Sequence, residues 1–191
     1  MSPWSQFEPA IFETCEPTLE GWIAHPAEAI SATAYLVVAI LLWRHFGYRD
    51  RTLFVRYLPF ALGIIGLTSV LFHVSYTAIF QMLDVASIPL FMGYICAATV
   101  SHRQQVDVSM FPRLFWTITT ISMLLVAANL ALGFIVVIGQ GCVIIWYWWT
   151  NPRTRSNPDA RRAILLLVSG AVLLGLDHAA IGCVSGIVIG S

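Results

Sequence analysis

Six long apolar stretches constrain what this chain can fold into. They cover residues 29–43, 57–76, 79–100, 111–129, 131–149 and 163–183. A helix of about 20 apolar residues crosses the ~30 Å hydrocarbon layer of a bilayer, whereas an open strand in lipid leaves its backbone polar groups unsatisfied. With 58% hydrophobic and 10% charged residues, the composition also excludes an ordinary soluble domain. We therefore predict an all-α, polytopic transmembrane helix bundle with six spans.

We predict a single transmembrane domain, residues 1–191, with three parts. Residues 1–28 are predicted to form an N-terminal segment outside the membrane. Residues 29–183 contain the six helices, and residues 184–191 are apolar and could begin a seventh. These eight residues are too few to cross a bilayer themselves.

Charge is distributed unevenly along the chain. All ten basic residues are arginines, in three clusters that lie between pairs of apolar stretches. Five of the ten acidic residues precede the first stretch, where there is no Lys or Arg. The positive-inside rule then predicts that the arginine-rich loops are cytoplasmic and that the N-terminus is extracytoplasmic.

Polar side chains gather near one end of the predicted bundle. Ser69 and His73 are four residues apart and share a helix face. Asp84 lies near the start of the next helix, and the short connecting loop brings it to the depth of His73. Asp177 and His178 lie near the end of the sixth stretch, in the same leaflet. Ionisable residues within spans indicate a functional site, although such side chains can also serve only as hydrogen bonds between helices.

An imidazole beside a carboxylate and a hydroxyl is typical of a catalytic zinc site. One histidine alone cannot hold zinc, so these residue types do not decide whether the site binds a metal ion. A small transporter or channel is another interpretation, since transport sites use polar residues at the bilayer midplane. The clustering toward one leaflet argues against a transport path.

The spacing of Ser69, His73 and Asp84, four and then eleven residues apart, resembles that of the alkaline ceramidases. These enzymes share a superfamily with the progestin and adiponectin receptors. The stretch FETCEPTLEGWIAHPAEAISATAYL is similar to the family's N-terminal segment, and LLGLDHAAIGC is similar to the end of its sixth helix. The closest resemblance is to bacterial members.

The resemblance implies a seven-span fold in a bacterial inner membrane and a zinc-dependent hydrolase. Its substrate would be a ceramide-like membrane lipid rather than a nucleic acid, and its products a fatty acid and a sphingoid base. By resemblance, His73 is a zinc ligand, Asp84 the general base and acid, and Ser69 a hydrogen-bond donor that steadies the metal site or the oxyanion. The alternative is a non-catalytic, receptor-like or scaffold protein of the same superfamily.

Two further features are implied by the resemblance. The family binds calcium with acidic residues near the N-terminus, and Glu13, Glu16 and Glu28 occupy similar positions, although Thr14 and Thr18 replace the family's Trp and Asn. The family also pairs two cysteines on the extracytoplasmic side. Cys15 and Cys183 are the corresponding residues, and their disulfide would tie the N-terminal segment to the sixth helix.

One departure from the family's pattern concerns the remaining zinc ligands. The family takes two from a His-x-x-x-His motif in the seventh helix, and this sequence contains no such motif. Either the chain stops before a seventh helix, which we favour, or His178 and a carboxylate substitute as ligands. Asp177 would then lie next to the metal ligands and interact with His178 without binding the metal itself.

Overall fold

The computed structural model describes residues 3–11, 16–46, 53–104, 110–158, 161–162, 164–165 and 168–169. Among these residues the fold is all-helical, as predicted. The elements are α1 (Pro26–Phe46), α2 (Leu53–Ser75), α3 (Ala78–Gln104), α4 (Phe111–Ala128), α5 (Leu130–Thr150) and the short α6 (Pro152–Ser156).

Four of the helices are long and apolar enough to cross a membrane. Their candidate spans are Pro26–His45, Arg56–Ser75, Ala78–Ser101 and Phe111–Ala128. Helix α5 contributes a shorter apolar stretch, Ile135–Thr150. The predicted sixth stretch lies mostly outside the described residues. The chain is therefore an integral, multi-pass membrane protein, and the first four of the six predicted spans are found.

Helices that follow one another in the chain pack against one another, and α3 also packs against α5. A cluster of aromatic rings fills the bundle where α2 and α4 begin. The ring centroids of Tyr57 and Phe115 are 5.1 Å apart, and those of Tyr94 and Phe111 are 6.1 Å apart, both edge to face, an arrangement that aromatic pairs favour. Because Tyr57 lies near the start of α2 and His73 near its end, this cluster and the polar residues occupy opposite ends of that helix.

A glycine allows α1 and α2 to approach closely. A Cβ atom placed on Gly66 would lie 2.9 Å from the backbone nitrogen and side chain of Leu36. Small residues commonly allow this kind of contact between membrane helices. The close packing brings the start of α1 beside the end of α2.

The N-terminal segment, residues 3–11 and 16–25, contacts the end of α2. The backbone N–H of Ala24 donates to the carbonyl of Val74 at 3.0 Å, and that of His25 donates to the carbonyl of His73 at 2.9 Å. The last carbonyls of a helix have no partner within it. The segment thus supplies the missing donors for two of them.

A second contact joins the segment to the turn between α2 and α3. Pro9 and Thr77 form an antiparallel bridge, in which Ala10 donates to the Tyr76 carbonyl at 3.1 Å and Ala78 donates to the Glu8 carbonyl at 3.0 Å. Tyr76 has a φ of 50°, a left-handed conformation that is unfavourable for a residue with a side chain. Helices α2 and α3, which flank Tyr76, and the bridge to the N-terminal segment together hold this turn in place.

Candidate metal centre

Three side chains that can bind a metal ion meet at the end of α2. Glu28 Oε2 lies 2.9 Å from His25 Nδ1 and 2.8 Å from His73 Nδ1. The three ligand atoms all lie within 4.8 Å of one another. We refer to these residues as the His25–Glu28–His73 group.

The local sequence explains how the group is assembled. Pro26 begins α1, a position that proline favours because its missing N–H is not needed there. Glu28 lies in the first turn, three residues after His25, so the two side chains are neighbours. His73 lies in the last turn of α2, and the backbone bond from His25 to the His73 carbonyl sets the two residues side by side.

His25 is completely buried, with 0% of its surface exposed. Its Nε2 atom lies 2.9 Å from Thr18 Oγ1, and its Nδ1 atom lies 2.9 Å from Glu28 Oε2. Its ring centroid is 4.1 Å from that of Tyr76. Thr18, Glu28 and Tyr76 together fix the orientation of this imidazole.

The other imidazole, that of His73, contacts the same carboxylate oxygen. Its Nδ1 atom is buried and lies 2.8 Å from Glu28 Oε2. The two imidazoles thus converge on one carboxylate oxygen. Two imidazole nitrogens and one carboxylate oxygen are the donor set of many catalytic zinc sites, which keep a fourth position open. The residues of this group therefore fit a zinc ion.

Ser69 and Asp84 lie beside the group. The Asp84 carboxylate is close enough to the Ser69 side chain and to His73 to interact with both. The structure thus brings together the three residues whose proximity the sequence predicted. The side chains of His73 and Glu28 are 15% and 26% exposed, so neither is fully buried.

Glu16 interacts with the start of α1. Its two carboxylate oxygens accept hydrogen bonds from the backbone N–H groups of Ala27 and Glu28, each at 2.9 Å. These are among the unpaired donors that begin α1, and a negative charge is favourable there. Among the described residues, the group of potential metal ligands does not include Glu16.

The other predicted site residues lie outside the described part of the chain. They are Glu13, Asp177 and His178, together with the proposed disulfide pair Cys15 and Cys183. Their predicted roles stay predictions.

The sequence interpretation gave no role to His25, and it assigned Glu28 to calcium rather than to the site of His73. The available signal was the His-x-x-Glu spacing just before the first apolar stretch. That position puts both side chains at the same end of the bundle as His73.

Comparison with known proteins identifies the family. The sequence profile of the ceramidase family matches residues 14–177, a region that contains the whole His25–Glu28–His73 group as well as Ser69 and Asp84. No curated protein matches the chain significantly, and neither does any solved structure. Because the profile matches most of its length, the chain belongs to the ceramidase family.

Proposed function

We propose that this protein is a zinc-dependent amidase that hydrolyses ceramide-like membrane lipids to a fatty acid and a sphingoid base. Membership of the ceramidase family implies ceramide hydrolysis. The observation that carries the proposal is the position of the Ser69–Asp84 pair beside a set of two histidines and a carboxylate. Metal ligands and an acid–base residue are the components that metal-dependent hydrolysis requires.

His25, Glu28 and His73 would hold the zinc ion. When bound, zinc supplies Lewis acidity and lowers the pKa of water, so that a strong nucleophile forms near neutral pH. Asp84 would accept the proton of the attacking water and deliver it to the amide nitrogen as the C–N bond breaks. The hydrogen bond from Ser69 would keep the Asp84 carboxylate oriented for both transfers.

The location of the site suits a lipid substrate. The group lies at the ends of candidate membrane spans, so a ceramide could reach it without leaving the bilayer. The arginine clusters support an extracytoplasmic N-terminus, which would place the site in the outer leaflet. We further propose six spans within a seven-span fold, as in bacterial members of the family, located in the inner membrane.

A non-catalytic receptor-like or scaffold protein is the second candidate. Glu28 lies within ion-pair distance of both imidazoles, so the group could instead be a structural cluster that links α1 to α2.

Fatty-acid release from an N-acyl sphingoid base separates the two candidates. The purified chain would be loaded with zinc in mixed micelles, and its products would be measured by mass spectrometry beside those of the Asp84→Asn variant. We expect hydrolysis by the wild type and a loss of about 10²–10⁴-fold in the variant, the usual contribution of an acid–base residue, with zinc content unchanged. Zinc-loaded wild type that releases no fatty acid would support the non-catalytic candidate.

A further inference from the structure

We infer that the N-terminal segment acts as a metal-dependent strap, which supplies His25 Nδ1 as a ligand, orients it through Thr18, and is locked onto the bundle when the metal binds. This inference rests on the proposed zinc site. It adds a positioning residue, Thr18, and a link between metal binding and the conformation of the segment.

The first step of the argument is the tautomer of His25. A neutral imidazole has one N–H and one lone pair. If Nε2 donates its N–H to Thr18 Oγ1, which is 2.9 Å away, the lone pair of Nδ1 faces Glu28 Oε2 at 2.9 Å. In the other tautomer Nδ1–H donates to Glu28 and Nε2 accepts from the Thr18 hydroxyl. A cation beside Nδ1 and Glu28 selects the first tautomer, because it removes the repulsion between their lone pairs.

Histidine ligands in metal sites commonly have this tautomer. A histidine ligand almost always donates its second ring N–H to a neighbouring acceptor, which fixes its tautomer and orientation. Thr18 Oγ1 is placed to be that acceptor. His73 Nδ1 lies 2.8 Å from the same Glu28 oxygen, so a cation beside Glu28 would be within reach of both imidazoles.

The second step is that His25 reaches the group only when the segment is docked. The backbone of Ala24 and His25 bonds to the last carbonyls of α2. Leu19 donates to the Ala24 carbonyl at 2.9 Å, which closes the short loop that carries Thr18 toward His25. The orientation of His25 thus depends on contacts made by several residues of the segment.

The segment also prepares the carboxylate ligand. Glu16 accepts hydrogen bonds from the first turn of α1, including the N–H of Glu28. Detachment of the segment would therefore remove one ligand and loosen the helix turn that holds another. A metal ion that binds only the docked form stabilises it according to its concentration and affinity, and docking raises metal affinity by the same factor.

Thr18 variants test the inference in the full chain in detergent. Thr18→Val removes the hydroxyl at nearly constant volume, and Thr18→Ser retains it. Thr33→Val is the matched control, because Thr33 is exposed on α1 and its hydroxyl donates to the Ile30 carbonyl. Co²⁺ would be titrated by visible absorption, and Zn²⁺ affinity would be measured by competition with a chromogenic chelator.

We expect Thr18→Val to weaken metal binding by about 10–100-fold, as loss of such a supporting contact usually does. Thr18→Ser should bind metal nearly as tightly as the wild type, and Thr33→Val should not differ from it. Rescue by serine distinguishes orientation of His25 from a general effect of substitution in the segment.

Hydrogen exchange of residues 16–25 provides the second measurement, with Zn²⁺ or with EDTA. Zinc should increase the protection of this region in the wild type and in Thr18→Ser, but not in His25→Ala. Unchanged metal affinity in Thr18→Val, with no zinc-dependent protection of residues 16–25 in the wild type, would overturn the strap and leave the zinc amidase intact, because Thr18 is not a proposed ligand. A wild type that binds neither metal would overturn both proposals.

Discussion

The carboxylate of Glu28 lies 2.8 Å from Nδ1 of His73, so the first turn of α1 and the last turn of α2 meet at a single point. Helix α1 supplies Glu28 and helix α2 supplies His73, so the contact forms only when the two helices pack together. The geometry of the candidate metal centre therefore depends on the packing of α1 against α2, and variants of that packing should change it.

Gly66→Ala tests this dependence. The new Cβ would lie 2.9 Å from the backbone nitrogen of Leu36, and overpacking of this kind usually costs about 1–3 kcal/mol. We expect a lower Tm in detergent and weaker zinc binding. Gly139→Ala is the control, because a Cβ there meets nothing within 4 Å. If both variants melt like the wild type, the close approach of α1 and α2 is wrong.

Glu16→Ala should destabilise the start of α1. The substitution removes acceptors from two backbone N–H groups, and loss of a helix cap costs about 0.5–2 kcal/mol. Zinc affinity should fall as well, because Glu28 belongs to the same turn. Glu20→Ala, which replaces an exposed carboxylate in the same segment, should leave both quantities unchanged.

Calcium added to the same variants tests whether Glu16 is a ligand of the calcium ion that the resemblance implies. If Glu16 is a calcium ligand, Ca²⁺ should raise the Tm of the wild type and of Glu20→Ala but not that of Glu16→Ala. If its function is only to cap α1, calcium should leave every Tm unchanged. Thermal unfolding with Ca²⁺ or with EGTA makes the distinction.

Ser69→Ala should slow lipid hydrolysis without removing the metal. A hydrogen bond to a charged group contributes about 1.5–3 kcal/mol, which corresponds to a rate loss of about 10–100-fold if all of it orients Asp84. Ser122→Ala is the control, since Ser122 is a buried membrane serine that accepts a hydrogen bond from Gln140 instead. Equal rates for Ser69→Ala and wild type, both loaded with zinc, would exclude the proposed function of Ser69.

The proposed disulfide between Cys15 and Cys183 is tested by gel mobility. Reduction should slow or spread the band of the wild type, because the bond would restrain a large loop of the chain. Cys15→Ser and Cys183→Ser should each abolish that difference. A reduction-dependent shift that persists in Cys15→Ser would show that other cysteines are paired.

Hydropathy and spacing were sufficient to predict the first four spans and the proximity of Ser69, His73 and Asp84. Spans are determined by the length and polarity of local sequence, and the short turn between α2 and α3 leaves their facing ends little freedom. These features are encoded within segments of about 20 residues, so a single sequence reveals them.

The position of His25 could not be predicted in this way. It depends on a non-helical segment that docks through backbone hydrogen bonds and through a turn at Tyr76 with positive φ. Neither feature has a hydropathy signal. The environment of Glu16 was also unexpected, because an acidic residue before a helix can be a cap or a metal ligand and its sequence position suits both.

Metal content of the detergent-purified chain tests the central claim most directly. Zinc would be measured by elemental analysis in the wild type, in His73→Ala and in His45→Ala, whose exposed histidine lies in the last turn of α1, far along that helix from Glu28. The account predicts one zinc per chain in the wild type and in His45→Ala, and its loss in His73→Ala. Equal zinc in all three proteins, or none in the wild type, would contradict it.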